Sequence, residues 1–469
     1  MTMQATVLAV DLGGSSLRCA LVDRSGKLRA LHAAPHRSAE EADPETWWQG
    51  LLAGAAVLRR EDAEGFAAVR AIAISAFTRS LVLLDATGNV LRPAILWSDT
   101  RAEAALPALR ALMPATHAEA AEINAFHPLA RLFWLAQTEP AVMVRAFAAI
   151  EPKDELNRRL TGVVASDRIS SARLAAAADL LRPLGLPPLL PPLRRPVEVV
   201  GPVSAGLPGA LGALAGVPVL AMANDTWAAV TGLGAMRAGL AYCISGTTEV
   251  LGLLHDAPAR AEGLLTVDWD GLWQLGGPSQ LGADALAWLR GLGVATADPP
   301  SGDPVPILFL PSLAGERVPH WDPALRGAFL GLSRTHGTAD LVRAVMQGIA
   351  LNNLTVLQRA EAATGRHAGE LRLGGGGGTP GWARIRADVL GRPVVLTGCP
   401  EPGLLGCAIT AFAALEGAPL AKLQDELVRP AARFEPDPVR HAAALRLHAL
   451  FRQAEAAVAP ISRALAGPA

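Results

Sequence analysis

The chain begins twice. Residues 7–11 and 17–23 are apolar runs separated by Gly13, Gly14, Ser15 and Ser16. Residues 240–244 and 250–254 repeat that arrangement around Ser245, Gly246, Thr247 and Thr248. Each reads as a β-hairpin closed by a turn of small residues. A sequence that restarts its opening motif near its midpoint points to two related lobes. The spacing puts the boundary near Ala238, with an N-terminal lobe over residues 1–238 and a C-terminal lobe over 239–469.

Strand and helix patterns alternate along most of the length, the pattern of an α/β protein. Residues 69–75, 81–85 and 94–97 read as further strands and residues 44–60 as a helix. After the proline-dense stretch 182–202, read as a stiff surface connection, a strand is expected at 217–221 and a helix at 224–236. Later come a long helix at 338–363, a strand at 370–373, five consecutive glycines (374–378) and a helix at 382–390. Hydrophobic residues make up 51% of the chain and charged residues 18%, which supplies large cores and excludes a disordered protein. Forty-two basic residues against 43 acidic ones leave no excess to bind a polyanion, so a nucleic-acid partner is not expected. Cys19, Cys243, Cys399 and Cys407 show no C-x-x-C spacing and read as reduced cytosolic thiols. No basic region precedes an apolar stretch at the N-terminus, so no signal peptide is read there. The uncharged segment 199–223 is long enough to span a bilayer, but its prolines and glycines would break a spanning helix. A soluble, cytoplasmic protein without a membrane partner is expected.

Small turns beside acidic residues carry the candidate chemistry. The turn at Gly13, Gly14, Ser15 and Ser16 can aim backbone N–H groups and hydroxyls at an anion. Asp11 directly before it makes sense beside phosphate if a cation intervenes, which points to Mg²⁺. The five-glycine run follows a strand and precedes a helix, a second place for phosphate. Its formal G-x-G-x-x-G (Gly376, Gly378, Gly381) comes cheaply from consecutive glycines, and close helix–strand packing explains them equally. Asp225 stands at the start of a helix after an apolar run. It is either a routine N-cap or, at the carboxyl end of a strand where open α/β sheets bind ligands, a base for an attacking hydroxyl. There is no G-x-x-x-x-G-K-[ST], H-E-x-x-H or G-x-S-x-G.

Taken in order, these residues resemble the FGGY carbohydrate kinases of the actin, hexokinase and heat-shock ATPase superfamily, over about residues 7–420. Residues 7–18, including Arg18, resemble the first phosphate motif, with Gly14 where Thr is usual, and residues 245–248 resemble the second. Trp97, Asp99 and Arg101 match the family's Trp-x-Asp-x-Arg segment near the sugar. Pro152, Lys153, Asp154, Gly162 and Asp167 match another family stretch. Residues 327–347 satisfy the second family signature. Phe126, Pro128, Arg131, Trp134 and Leu135 follow the first, with Arg131 in place of Lys. Gly375, Gly376, Gly377 and Trp382 fall in the adenosine motif, and residues 309–322 read like xylulokinases.

The resemblance implies a two-lobed ribonuclease-H-like ATPase fold with its active site in an interlobe cleft. It implies ATP-dependent phosphorylation of a sugar or polyol, a pentulose being the leading substrate. Asp225 would be the base, Asp11 and Asp225 the Mg²⁺ ligands, and the hairpin turns and glycine run the ATP site. Family habit adds a homodimer. A non-kinase ATPase or sensor, a sugar-acid kinase and a degenerate sugar-binding protein are the rivals. Thr78 and Arg79 stand where relatives place Met-His, and Thr226 follows Asp225 where Asn is usual. Arg79 either pairs with a carboxylate such as Asp99 or meets the sugar with a rigid fork of donors. In the second case D-xylulose is a mediocre substrate, and a more oxidised or differently configured sugar is preferred.

Overall fold

A strand with sheet neighbours on both sides and helices over its faces reads as a continuous apolar run. Thr6–Leu12 is such a strand, buried throughout except at Asp11. It pairs antiparallel with Ser16–Asp23, which pairs antiparallel with Leu28–Pro35. On its other side it runs parallel to Val69–Ala76, then Pro218–Leu220 follows parallel and Val199–Pro202 closes the edge antiparallel. The helix Pro44–Glu61, capped by the Asp43 side chain on the Glu45 N–H, lays Trp47, Leu51, Ala55 and Leu58 against this sheet. The structure, a computed structural model, describes residues 5–36, 40–298 and 302–467. Residues 1–4, where no signal-peptide pattern was read, lie outside the described residues.

The chain divides into two compact units. Met1–Gly232 with Glu401–Leu427 forms one, and Leu233–Pro400 with Val428–Ala469 forms the other. In the second, Ala241–Ser245 pairs antiparallel with Glu249–His255, which pairs antiparallel with Trp273–Pro278. On the other side Ala241–Ser245 runs parallel to Leu371–Gly374, and that strand parallel to Val394–Thr397. Both sheets therefore place three antiparallel strands beside two that run parallel to the first of them. The repeated hairpins mark a repeated half-sheet. Leu265–Asp268 and Pro430–Phe434 extend the second sheet to seven strands, and the long helix Thr338–Thr364 packs on it.

Three sequence expectations need correction. The proline-dense connection is not irregular to its end, because Val199 and Gly201 pair with Leu220 and Val219. Its prolines fall outside that pairing or at the strand's end, on an edge that tolerates them. The helix expected at 224–236 is Asp225–Gly232. Gly234 at φ +74° breaks it, and a Cβ on Gly232 would lie 1.9 Å from the Pro402 carbonyl oxygen. The strands expected at 81–85 and 94–97 contract to Val82–Leu84 and Ala94–Ile95. Among the described residues no helix is long and apolar enough to cross a membrane, and all four cysteines are free.

Candidate active site

In the first unit Asp11 lies near the carboxyl end of the central strand Thr6–Leu12. Asp11 sits opposite Arg18 in the antiparallel register and beside Ser75 in the parallel one. Ser75 Oγ donates to Asp11 Oδ1 at 2.8 Å. Arg18 donates to Glu401 Oε2 at 2.7 Å, at the start of the helix Pro402–Glu416. A Cβ on Gly403 would come 2.9 Å from Asp11 Oδ2, so this helix begins against the Asp11 carboxylate. Burial pushes the Asp11 pKa up, opposed by Ser75 and Arg18 and reinforced by Glu401.

Asp225 is presented by the turn between Pro218–Leu220 and Asp225–Gly232. That turn includes Met222 at φ +53°, a left-handed conformation rare for a long side chain. Asn224 Oδ1 accepts from the Trp227 N–H at 3.0 Å, so Asn224 does the capping that the sequence offered as the bland role for Asp225. Among the described residues the Asp225 carboxylate accepts only from its neighbour, from the Thr226 N–H at 2.6 Å and Thr226 Oγ1 at 3.3 Å. Burial and then the Asp11 charge push its pKa up to about 7. The close crossing of Asp225–Gly232 on Pro402–Glu416 fixes its place. Gly406 belongs to that crossing, where a Cβ would lie 1.8 Å from the Ala228 carbonyl oxygen.

Gly13 and Gly14 are not required by the fold. Neither has positive φ, and a Cβ would make only ordinary contacts, 3.5 Å to the Ser16 carbonyl oxygen and 3.9 Å to Trp97 Nε1. Gly14 and Ser15 are both exposed. The contact also sets Trp97 beside the phosphate-type turn. Asp99 is buried and held by Arg101, whose backbone N–H donates to Oδ1 at 2.8 Å and whose Nε donates to Oδ2 at 2.9 Å. Burial acts against its charge, but Arg101 outweighs it and holds the pKa below the usual carboxylate range. Arg101 also pairs with Glu41 and stacks over Trp134 at 4.9 Å. Arg101 is thus a partner of Asp99. Arg79 is exposed, with φ +59°.

In the second unit the structure separates the predicted residues. Thr247 is exposed and Gly246 would accept a Cβ without a clash. The Ser245 hydroxyl, however, is buried and donates to Glu249 Oε1 at 2.6 Å. Glu249 in turn pairs with the fully buried Arg386 and accepts from Asn353 Nδ2 at 2.9 Å. Trp382 corrects the sequence reading. Its side chain is sealed in the core, with Nε1 donating to the Met346 carbonyl and its ring 4.6 Å from the Arg386 guanidinium. The indole packs the helix and does not face a nucleotide. In the glycine run, a Cβ on Gly375 would lie 2.4 Å from the Ser245 carbonyl oxygen and one on Gly377 2.1 Å from Ser245 Oγ, whereas Gly376 has open space. At the start of the following helix Pro380–Leu390, the Gly381 N–H donates to Asp298 Oδ2 at 2.9 Å. A carboxylate of the chain thus occupies the helix terminus where a phosphate was expected.

Sequence reasoning missed Ser75 and Glu401. Ser75 ends the strand neighbouring Asp11, and parallel pairing of the first and third apolar runs was the available signal. Glu401 carried none, because its partner Arg18 lies 383 residues away.

The chain matches the FGGY family of carbohydrate kinases, N-terminal domain, over residues 6–232, and the C-terminal domain of the same family over residues 241–415. It is 29% identical over 420 residues to a xylulose kinase of Escherichia coli, covering 82% of this chain and 85% of that protein. It is 31% identical over 474 residues to a glycerol kinase of Thermus brockianus, covering 92% and 94%. Among solved structures, a xyloylose kinase from Brucella ovis superposes with a TM-score of 0.87 at 26% identity, covering 97% of this chain and 100% of that one. With a family match along nearly its whole length, the chain belongs to the FGGY family of carbohydrate kinases and is an ATP-dependent sugar kinase.

Proposed function

We propose that the chain transfers the γ-phosphoryl group of ATP to a hydroxyl of a five-carbon ketose, with Asp225 as general base. The observation that carries this reading is the Asp225 carboxylate. It is relieved of capping by Asn224, stands against Asp11, and has a pKa raised to about 7. A base poised near the working pH combines a useful ionised fraction with enough proton affinity. In the step, an Asp225 oxygen takes the hydroxyl proton, the sugar oxygen forms a bond to the γ-phosphorus, and the bridging bond to ADP breaks. Trp97, Asp99, Arg101, Thr78 and Arg79 form the sugar side of this reading. The exposed turn at Gly13, Gly14, Ser15 and Ser16, with Arg18, and the turn at Gly246, Thr247 and Thr248 serve the phosphates. Gly375, Gly376 and Gly377 shape the nucleotide site, Gly376 offering the open approach, while Ser245 supports from beneath.

Asp11 and Asp225 fit Mg²⁺. They offer hard carboxylate oxygens, the Asp11 charge raises the cost of ionising Asp225, and among the described residues no cluster of three acidic, His or Cys ligands surrounds them. An ion that keeps several waters and takes one or two carboxylates plus phosphate oxygens suits that set. When bound it would supply positive charge against the transferring phosphoryl group.

The pentulose assignment draws on the xylulose kinase relative and on residues 309–322. The reading extends to a cytoplasmic homodimer, supported by the free thiols and by family habit and tested by sedimentation. The experiment for the substrate is ATP consumption across pentuloses, polyols and sugar acids. A pentulose should stimulate turnover at least ~100-fold over the sugar-free rate, the low end of a general-base contribution. Preference for glycerol or a sugar acid would overturn the pentulose assignment. No stimulation by any of them would remove the sugar-kinase reading of this site.

A further inference from the structure

The loop that carries Thr78 and Arg79 is held from two sides by buried ionisable groups outside the site described above. On one side is Arg131, only 2% exposed, on the helix Pro128–Thr138. Its guanidinium donates to three backbone carbonyls, those of Arg79, Leu96 (2.8 Å) and Asp99 (3.0 Å). Two of these flank Trp97, and the third belongs to Arg79. One side chain therefore ties together both segments assigned to the sugar. On the other side is Glu151, 9% exposed, which accepts from Thr78 Oγ1 at 3.2 Å and from the Ser80 N–H at 3.3 Å. Glu151 is fixed in turn, its own N–H donating to Asp154 Oδ2 at 3.1 Å. Asp154 pairs with the buried Lys153, which also pairs with Asp167 at 2.8 Å.

Two features set this apart from ordinary packing. Arg79 keeps a left-handed backbone at φ +59°, a conformation an arginine holds only where its surroundings over-determine it. Here they do, because the residues before and after it bond to Glu151 and its own carbonyl bonds to Arg131. A buried guanidinium whose hydrogen bonds go to neutral carbonyls is also an expensive way to hold a loop. The fork geometry does what a single ammonium does less well, since it reaches three divergent carbonyls with fixed angles.

We propose that Arg131 and Glu151 are positioning residues that clamp residues 78–80 against the turn at 96–99, so that sugar selectivity depends on the pair. The proposal rests on the assignment of these two segments to the sugar. Arg131→Met removes the fork, Arg131→Lys keeps a charged donor, and Glu151→Gln keeps the shape but spoils one of the two accepted bonds. In steady-state kinetics Arg131→Met should raise the sugar KM about tenfold or more, since small misplacements of substrate-positioning groups are costly. It should also narrow the kcat/KM ratio between the best and second-best sugars, while the ATP KM stays within about twofold. Arg131→Lys, which keeps a donor but not the fork, should recover part of the sugar KM. Glu151→Gln should raise the sugar KM about fivefold with the ATP KM unchanged, and it carries the test if Arg131→Met does not fold. A sugar KM within twofold of wild type in Glu151→Gln or folded Arg131→Met would overturn the clamp. So would sugar and ATP KM values rising together, the mark of general structural loss. The wild-type panel is read first. If no sugar stimulates ATP use the kinase reading fails, and if wild type is active while the variants keep their sugar KM, only the clamp fails.

Discussion

Asp225→Asn separates catalysis from stability, because the structure expects it to lose one and gain the other. Removing a general base lowers turnover by about 10²–10⁴-fold. Asparagine can still accept from the Thr226 N–H, and the Asn224 cap is untouched, so no structural bond is lost. The Asp225 pKa stands at about 7, against an ordinary aspartate value of 3.8. For a group whose folded pKa is raised, the stabilising contribution is complete below the unfolded value and is lost as pH rises to the folded one. Wild type therefore sheds stability between about pH 4 and pH 7, while the Asn variant does not. Roughly three pH units at about 1.4 kcal/mol each give a ceiling near ~4 kcal/mol. Because the residue keeps some exposure to water, about 1–2 kcal/mol is the figure to expect after screening. Thermal melts without nucleotide or Mg²⁺ should place the variant a few degrees above wild type at pH 8, with the gap closing toward pH 4. In wild type with Mg²⁺ and ATP, kcat/KM should begin to fall only at a pH below about 7, because the cation beside Asp225 favours its ionised form. Near-normal turnover in Asp225→Asn refutes the base assignment. A variant that melts below wild type at pH 8 refutes the claim that the carboxylate is held there at a cost.

The buried pair in the second unit makes the opposite case. Arg386→Met leaves Glu249 without its guanidinium in a site closed to water, and should cost about 3–5 kcal/mol in denaturant unfolding; a loss under 1 kcal/mol would show that Asn353 and Ser245 suffice. Gly375→Ala and Gly376→Ala should part company. The first forces a side chain into φ +85° and against the Ser245 carbonyl, so its melting temperature drops. The second should fold normally while the ATP KM rises, and equal effects from both would deny Gly376 a nucleotide role. Arg79→His restores the residue that family members place in this loop, and should raise kcat/KM for D-xylulose. Unchanged constants, with D-xylulose already the best sugar, would leave Arg79 no part in selection.

What could be read from the sequence follows the range of the interactions. The hairpins were legible because an antiparallel turn is closed by residues a few positions apart, and their repetition survived as a repeated half-sheet. Asp225 was legible by place, after an apolar run and before a helix. Its role was not, because the choice between cap and base rests on one hydrogen bond, that from the Trp227 N–H to Asn224. Trp382 misled for a related reason. A tryptophan after a glycine run fits a nucleotide platform and a core post equally, and only the buried Arg386 beneath its ring decides.

The hardest part to read was the return of Glu401–Leu427 to the first unit. The helix Pro402–Glu416 reads as an ordinary apolar helix of whatever surrounds it in sequence. Yet its glycines are spent on the first unit, Gly406 against Ala228 and Gly403 against Asp11, and the Glu401 that precedes it holds Arg18. A side chain at Gly406 would push Asp225–Gly232 away, and one at Gly403 would crowd the Asp11 carboxylate. The spacing of Asp11 and Asp225 is thus set by two residues with no side chain, more than 170 positions downstream of either carboxylate. Small residues at such a crossing look in sequence like any other small residues. Their meaning lies in how closely two backbones approach, and that is a property of the fold rather than of the local pattern.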